Sequence, residues 1–283
     1  MAVLSIQSSV VHGHVGNSAA VFALQRLGVD VLPIDTVTLA HHPGRGGLHG
    51  HHLKPEEFFT LIDALDRIGV FKSCEAVLSG YLGDAALGPT ILDVVARVKR
   101  ANSRALYLCD PVMGERQKGT YVRPGIPEFF RTSALPLTDI LMPNAFELGL
   151  LADCEVDGLE AALSAAGLLL ARGPHLVVAT GIVRKDRRCD WIGALAVTAK
   201  GAWLAESPFV EAPASGAGDL FAAVFLGRYL KGRDPAKALA HAVSTLHAVM
   251  TATRRKGGNE LALIAAQAAI AAPKRLFKAE KMR

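Results

Sequence analysis

Short apolar runs alternate with helix-length segments through most of this chain, and that alternation restricts its fold more than any other feature. Residues 3–7, 29–36, 76–79, 105–109, 139–142 and 175–179 read as strands. Helices are expected between them, near residues 17–28, from Pro55 to about Ile68, and over 84–101 and 159–170. Proline at a first helical turn needs no N–H partner, which supports the start at Pro55. Ile91, Val94, Val95 and Val98 fall on one face of their helix. Strands and helices in this order build a parallel sheet covered on both faces. The pattern then changes. Residues 191–197 and 202–204, joined by Thr198-Ala199-Lys200-Gly201, read as an antiparallel hairpin. Helices over 219–230, 236–252 and 260–271 close the chain. The expectation is an α/β fold: a three-layer α/β/α sandwich, mostly parallel with an antiparallel edge, in one domain over residues 1–283.

Apolar residues make up 51% of the chain, enough for a large core, yet none of their runs reaches the 18 residues of a membrane span. The opening Met1-Ala2-Val3-Leu4-Ser5-Ile6-Gln7 lacks the charged region and cleavage site of a signal peptide. Cys74, Cys109, Cys154 and Cys189 show no Cys-x-x-Cys spacing, which argues against a zinc site or redox pair and fits a reducing cytoplasm. The net charge of +5 suits phosphorylated small molecules. Basic residues cluster only at Arg184-Lys185-Asp186-Arg187-Arg188 and Arg254-Arg255-Lys256, without interleaved aromatics, so nucleic acid is the minor reading.

Ligands of open α/β sheets gather at the carboxyl ends of the strands. Polar clusters follow several expected strand ends: Gln7-Ser8-Ser9, Ser79-Gly80-Tyr81-Leu82-Gly83, Asp110-Pro111-Val112-Met113-Gly114, Pro143-Asn144-Ala145-Phe146-Glu147 and Thr180-Gly181. Each alone has a bland explanation; Asn144 to Glu147, for instance, matches a helix capping box. In Pro213-Ala214-Ser215-Gly216-Ala217-Gly218-Asp219-Leu220-Phe221, two glycines open a helix. Free N–H groups at such a start form an anion site. Asp219 on its rim is odd for holding phosphate but sensible for taking a proton from an attacking hydroxyl. Asp110 and Glu147 beside that site suggest Mg²⁺ held largely through water. No Walker motif occurs, and the glycine pattern after the first strand is not that of a dinucleotide site. His41 to His52 contains five histidines among glycines. Zinc or nickel is one reading, and a mobile flap over a substrate is the favoured one.

Taken together, Gly216-Ala217-Gly218-Asp219, Asp110-Pro111-Val112-Met113-Gly114 and Pro143-Asn144-Ala145-Phe146-Glu147 resemble the ribokinase-like kinases. The stretch Ile6-Gln7-Ser8-Ser9-Val10-Val11-His12-Gly13-His14-Val15-Gly16-Asn17-Ser18-Ala19-Ala20 is more specific. With Leu32-Pro33-Ile34-Asp35-Thr36-Val37 and Ser79-Gly80-Tyr81-Leu82-Gly83, it is similar to the pyridoxal kinases, and the likeness covers nearly the whole chain.

That resemblance implies ATP-dependent phosphorylation of the 5′-hydroxymethyl group of pyridoxal, with pyridoxine and pyridoxamine as further acceptors. It implies Asp219 as the base, with Gly216, Ala217 and Gly218 around the transferring phosphoryl group. Ser8 and Val10 would meet the pyridine ring, Tyr81 would pack near it, and His41, His42, Pro43 and Gly44 would cover it. Asp110, Met142, Glu147, Thr180, Ser207, Pro208, Phe209 and Val210 are implied at the nucleotide, with Mg²⁺ at Asp110 and Glu147. A homodimer is implied too, and a monovalent-cation requirement is left open. Two departures stand out: Ala217 sits where the motif often has threonine, and the flap is richer in His and Gly. Rival readings are a hydroxymethylpyrimidine kinase of the same superfamily and a non-catalytic vitamin- or nucleotide-binding protein. Retention of Asp219 between the glycines and the helix disfavours the latter, since binding alone needs no base.

Overall fold

The computed structural model describes residues 1–184 and 190–282. The chain opens with strand β1 (Ala2–His12), helix α1 (Asn17–Arg26), β2 (Asp30–His41), β3 (Gly50–His52) and α2 (Pro55–Arg67). Then come β4 (Cys74–Ser79), α3 (Gly88–Ala101), β5 (Leu106–Cys109), a small hairpin of β6 (Gly114–Glu115) and β7 (Gly119–Thr120), and α4 (Ile126–Phe129). They are followed by β8 (Ile140–Leu141), α5 (Ala145–Ala152), α6 (Leu159–Leu170), β9 (Leu176–Ile182), β10 (Trp191–Thr198) and β11 (Gly201–Pro208). Helices α7 (Ala217–Gly232), α8 (Pro235–Lys256) and α9 (Gln267–Ala271) precede a last strand, β12 (Ala279–Lys281).

Among the described residues, ten strands form one sheet in the order β12, β11, β10, β9, β8, β5, β4, β1, β2, β3. The six from β9 to β2 are parallel. Antiparallel strands extend both edges: β10, β11 and β12 at one, β3 at the other. Successive residues of a strand feed opposite layers, which explains the near-continuous apolar runs. Val77 belongs to one core layer with Phe58, Ile91, Val94 and Leu163, whereas Ala76 and Leu78 belong to the other with Leu24, Phe221, Phe225 and Leu239. The α/β/α sandwich is therefore as expected, with a second antiparallel edge added.

Strand β1 lies between β2 and β4, so the strand order reverses beside it. Open α/β sheets bind ligands at that reversal, outside the carboxyl ends of the strands. A buried polar staple fixes the connection there. Ser5 Oγ donates to Asn17 Oδ1 at 2.7 Å, and Asn17 Nδ2 donates to Asp35 Oδ1 at 2.8 Å, tying the start of α1 to β1 and β2. Stranding these buried groups would cost about 1–3 kcal/mol each.

Several boundaries differ from the sequence reading. The first strand runs on from Gln7 to His12, so Ser8 and Val10 lie within it rather than beyond it. Its pairing with β4 ends at Ile6 with Ser79. After a bulge between Gln7 and Ser9 it continues against β2 alone. Residues 41–52, read as a mobile loop, instead end β2, turn through Pro43–Arg45 and return as β3, with Val37 opposite His52. Val10, Val37 and Leu39 of this extension bury one another, with Val15 and Tyr81 packed against them. Only residues 267–271 of the expected 260–271 helix are helical. Glu260 instead bridges to Ser215, and the Ala262 N–H donates to Thr253 Oγ1 at 2.9 Å. The expected helix over 84–101 begins at Gly88, because Asp84 caps a separate short turn by accepting the Ala86 N–H. Most of the basic run from Arg184 to Arg188, and Cys189, lie outside the described residues. Cys74, Cys109 and Cys154 are free thiols, and no helix among the described residues is long and apolar enough to cross a membrane.

Candidate active site

The two glycine-bearing loops of the sequence meet back to back. Gly216 caps α7 with φ +96°, and a Cβ there would lie 1.9 Å from the His14 carbonyl oxygen. Gly16, before α1, has φ +57°, and a Cβ there would lie 1.9 Å from the Ser8 carbonyl oxygen. Only glycine combines such backbone angles with such approaches. The contact lets the Gly16 N–H donate to Asp219 Oδ2 at 2.8 Å. Asp219 thus stands at the N-termini of α1 and α7 together, where helix dipoles favour negative charge. Burial pushes its pKa up, and the N–H groups of Gly16 and of Asp219 itself oppose that rise.

Gly218 is different. A Cβ there would meet no atom within 4 Å, so nothing in the chain itself demands glycine. The N–H groups at this first turn of α7 precede the intrahelical ladder, which starts with Leu220 donating to Gly216 at 3.0 Å.

Asp110 and Glu147 close the opposite side. Glu147 is the N3 residue of a capping box: its Oε2 accepts the Asn144 N–H at 2.9 Å, while Asn144 Oδ1 accepts from Phe146 and Glu147. Glu147 Oε1 also accepts the Met113 N–H at 2.8 Å. The capping reading holds for this residue, and the same carboxylate stands near Asp110. Burial still pushes its pKa to about 7. Asp110 is pushed well up by burial and by the charges of Glu147 and Asp219. Among the described residues, no salt-bridge partner is found for any of these three carboxylates.

Beside the start of α7 lies a cavity of about 260 Å³. Thr180, Ser207, Pro208, Phe209 and Val210 line it, as do Ala217 and Gly218, so the start of α7 opens directly into it. Val243, Leu246, His247 and Met250 of α8 form one further wall, and residues 192–194 of β10 another. Across the sheet reversal, Ser8 and Val10 are buried on β1, and Tyr81 packs against the Val10, Val37 and Leu39 cluster with its carbonyl held by the Thr36 hydroxyl at 2.7 Å.

A family described as phosphomethylpyrimidine kinase matches residues 30–262. A pyridoxal kinase PdxY from Rubrobacter xylanophilus is 47% identical over 96% of this chain and 94% of its own length. That of Leifsonia xyli is 41% identical over the full length of both. The chain belongs to the pyridoxal kinase family. Solved relatives agree: pyridoxal kinase from Leishmania donovani, in complex with ADP and pyridoxine, superposes with a TM-score of 0.93 at 28% identity, covering 100% of this chain and 99% of its own.

Within this pyridoxal kinase fold most of the residues singled out in the sequence come together. Asp219, Gly216, Ala217 and Gly218 form the junction between the cavity and the strand reversal. The flap residues His41, His42 and Pro43 are half-buried and Gly44 is exposed. Met142 is not brought to the surface of the cavity: it is packed into the core on the α1 and α7 side. The α8 wall was missed. Val243, Leu246, His247 and Met250 recur at helical spacing, a signal identical to that of an ordinary core stripe. No group of three His, Cys, Asp or Glu side chains among the described residues is arranged to chelate a metal. Two oxygen-donor carboxylates, one already holding several N–H groups, do fit a hydrated Mg²⁺ held at second hand.

Proposed function

We propose that this chain transfers the γ-phosphoryl group of ATP to the 5′-hydroxymethyl group of pyridoxal, forming pyridoxal 5′-phosphate. The observation that carries this is the placing of Asp219, held by Gly16 at the mouth of α7 between the cavity and the Ser8–Tyr81 side. In this reading Asp219 accepts the proton of the attacking hydroxyl, and the N–H groups from Gly216 to Asp219 stabilise charge on the transferring group. Ser8 hydrogen-bonds the pyridine ring, Val10 and Tyr81 pack beside it, and the flap from His41 to Gly44 excludes water. Thr180 and residues 207–210 face the nucleotide. Asp110 and Glu147 would hold Mg²⁺ through water, and the ion, when bound, neutralises phosphate charge. Phosphoryl transfer needs little beyond such positioning and charge stabilisation.

The description of the matching family favours one second reading, a hydroxymethylpyrimidine kinase. A coupled ADP-release assay with both acceptors side by side separates the two. Pyridoxal is expected to give the higher kcat/KM, and the reverse order would overturn the assignment. We further infer one domain, because both helical layers close on one sheet. A cytoplasmic setting fits the free thiols, and the homodimer implied by family resemblance is testable by light scattering.

A further inference from the structure

Glu260 lies far from Arg45 and His14 in the sequence, yet it joins both. Arg45, at the tip of the flap, places its guanidinium 2.6 Å from Glu260 Oε1. Glu260 Oε2 accepts the His14 N–H at 3.2 Å. The carboxylate rests on Gly13, where φ is +110° and a Cβ would lie 2.2 Å from Oε2. The backbone of Glu260 bridges to Ser215, immediately before the Gly216 cap. Gly13 and His14 belong to the loop whose last member, Gly16, holds Asp219. One residue therefore touches the flap and the loop that orients Asp219 with its side chain, and the entry to α7 with its backbone.

We propose that Glu260 is a positioning residue that latches the flap through Arg45 and couples flap closure to the alignment of Asp219. The inference rests on the kinase reading above for its catalytic consequence, though not for the latch itself. Both side chains are partly exposed, 33% for Arg45 and 23% for Glu260, so the pair is screened and reversible rather than permanent. A flap must open for each turnover, and a pair of this strength suits that need. When it forms, it draws the tip towards the strand reversal while the other carboxylate oxygen holds the glycine loop. Water is excluded at the moment when the base is set.

The test uses Arg45→Met and Glu260→Gln singly and together. Glu260→Gln keeps an oxygen acceptor for the His14 N–H and removes the charge that Arg45 needs. Each single variant is expected to raise KM for pyridoxal about three- to tenfold, with KM for ATP little changed, and to raise ATP hydrolysis relative to phosphorylation. The double variant is expected to be no worse than the poorer single one, because both remove the same contact. Arg45→Lys should recover most of the loss. Amide exchange across residues 41–52, measured without any substrate, is expected to speed up in both single variants. Faster exchange in the variants, beside a wild type unable to phosphorylate pyridoxal, would sink the kinase reading and leave the latch standing. Arg45 is on the outer tip of the flap, so its variant should fold even if that of Glu260 does not. An Arg45→Met protein with wild-type flap exchange and wild-type KM for pyridoxal would overturn the latch. So would fully additive losses in the double variant.

Discussion

The Gly16 N–H donates to Asp219 Oδ2 at 2.8 Å, and α1 has no side-chain cap of its own at Gly16. The carboxylate on α7 therefore does the work of a cap for α1. Two helix starts share one negative charge, which fixes its position between the strand reversal and the cavity. Burial raises the proton affinity of Asp219 while these N–H groups restrain the rise, a balance suited to the proton acceptor proposed above.

Gly216 and Gly218 should respond oppositely to alanine. At Gly216 the positive φ and the His14 carbonyl leave no room for a Cβ, so Gly216→Ala should lose about 1–3 kcal/mol or more of stability. At Gly218 nothing is in the way, and Gly218→Ala should be neutral or gain up to about 1 kcal/mol. Its methyl would nevertheless enter the space assigned to the transferring phosphoryl group, lowering kcat/KM at least about tenfold. Melting curves and kinetics on both proteins test this. A fully active Gly218→Ala enzyme would place the phosphoryl group elsewhere.

The parallel sheet was legible because strands such as 76–79 and 176–179 are covered on both faces and must be apolar throughout. The outer half of β1 and all of β3 were not. They leave the sheet as a narrow extension, and residues such as His12, Gly50 and His51 carry no apolar signal. Asp219, Asp110 and Glu147 were legible through short local motifs. Leu246 and Met250 were hidden because a cavity wall and a core face share one periodicity. The helix expected from Glu260 failed for a non-local reason: its backbone is held by Ser215 and its neighbour Ala262 by Thr253.

His241 should give the protein an acid-sensitive joint. It is buried on α8, and its Nε2–H donates to the Ile270 carbonyl at 2.8 Å. Burial, together with Arg228 and Lys231, holds its pKa below the ordinary 6.5, against the raising effect of the Ile270 bond. On unfolding, the ring takes up a proton more readily than it does in the native state. Its contribution is thus complete above about pH 6.5 and lost as pH falls through the lower folded value. His241→Gln keeps a donor for Ile270 without a titration. Between about pH 7 and pH 5 the Tm of the wild type should fall more steeply than that of the variant. Parallel curves would contradict this.

The histidines of the flap should not retain zinc or nickel. His41 Nδ1 lies 3.0 Å from the His42 carbonyl, and His49 Nε2 lies 3.2 Å from that of Gly46. His42 Nδ1 accepts the Gly44 N–H at 3.2 Å. These ring nitrogens serve the backbone of the turn, and no carboxylate or thiol joins them among the described residues in a metal-binding group. Metal analysis of untagged, chelator-washed protein should find no stoichiometric zinc or nickel. A tightly held equivalent that disappears on replacing His49, His51 and His52 would refute this.

Asp219→Ala separates catalysis from structure at the centre of the site. If the carboxylate takes the proton, kcat should fall roughly 10²–10⁴-fold. ATP affinity should hold or tighten, because a negative charge beside the γ-phosphate is gone. Stability carries the opposing expectation. The variant loses the acceptor of the Gly16 N–H, a capping contribution of about 1–2 kcal/mol at most, and it also removes a carboxylate whose burial is unfavourable. The two effects partly cancel, so the melting curve should move little. A purely structural Asp219 would give the reverse pattern, with activity falling only as far as the folded fraction falls. Turnover, nucleotide affinity and melting measured on one preparation distinguish the two, and a well-folded Asp219→Ala protein with near-normal kcat would remove Asp219 from the chemistry.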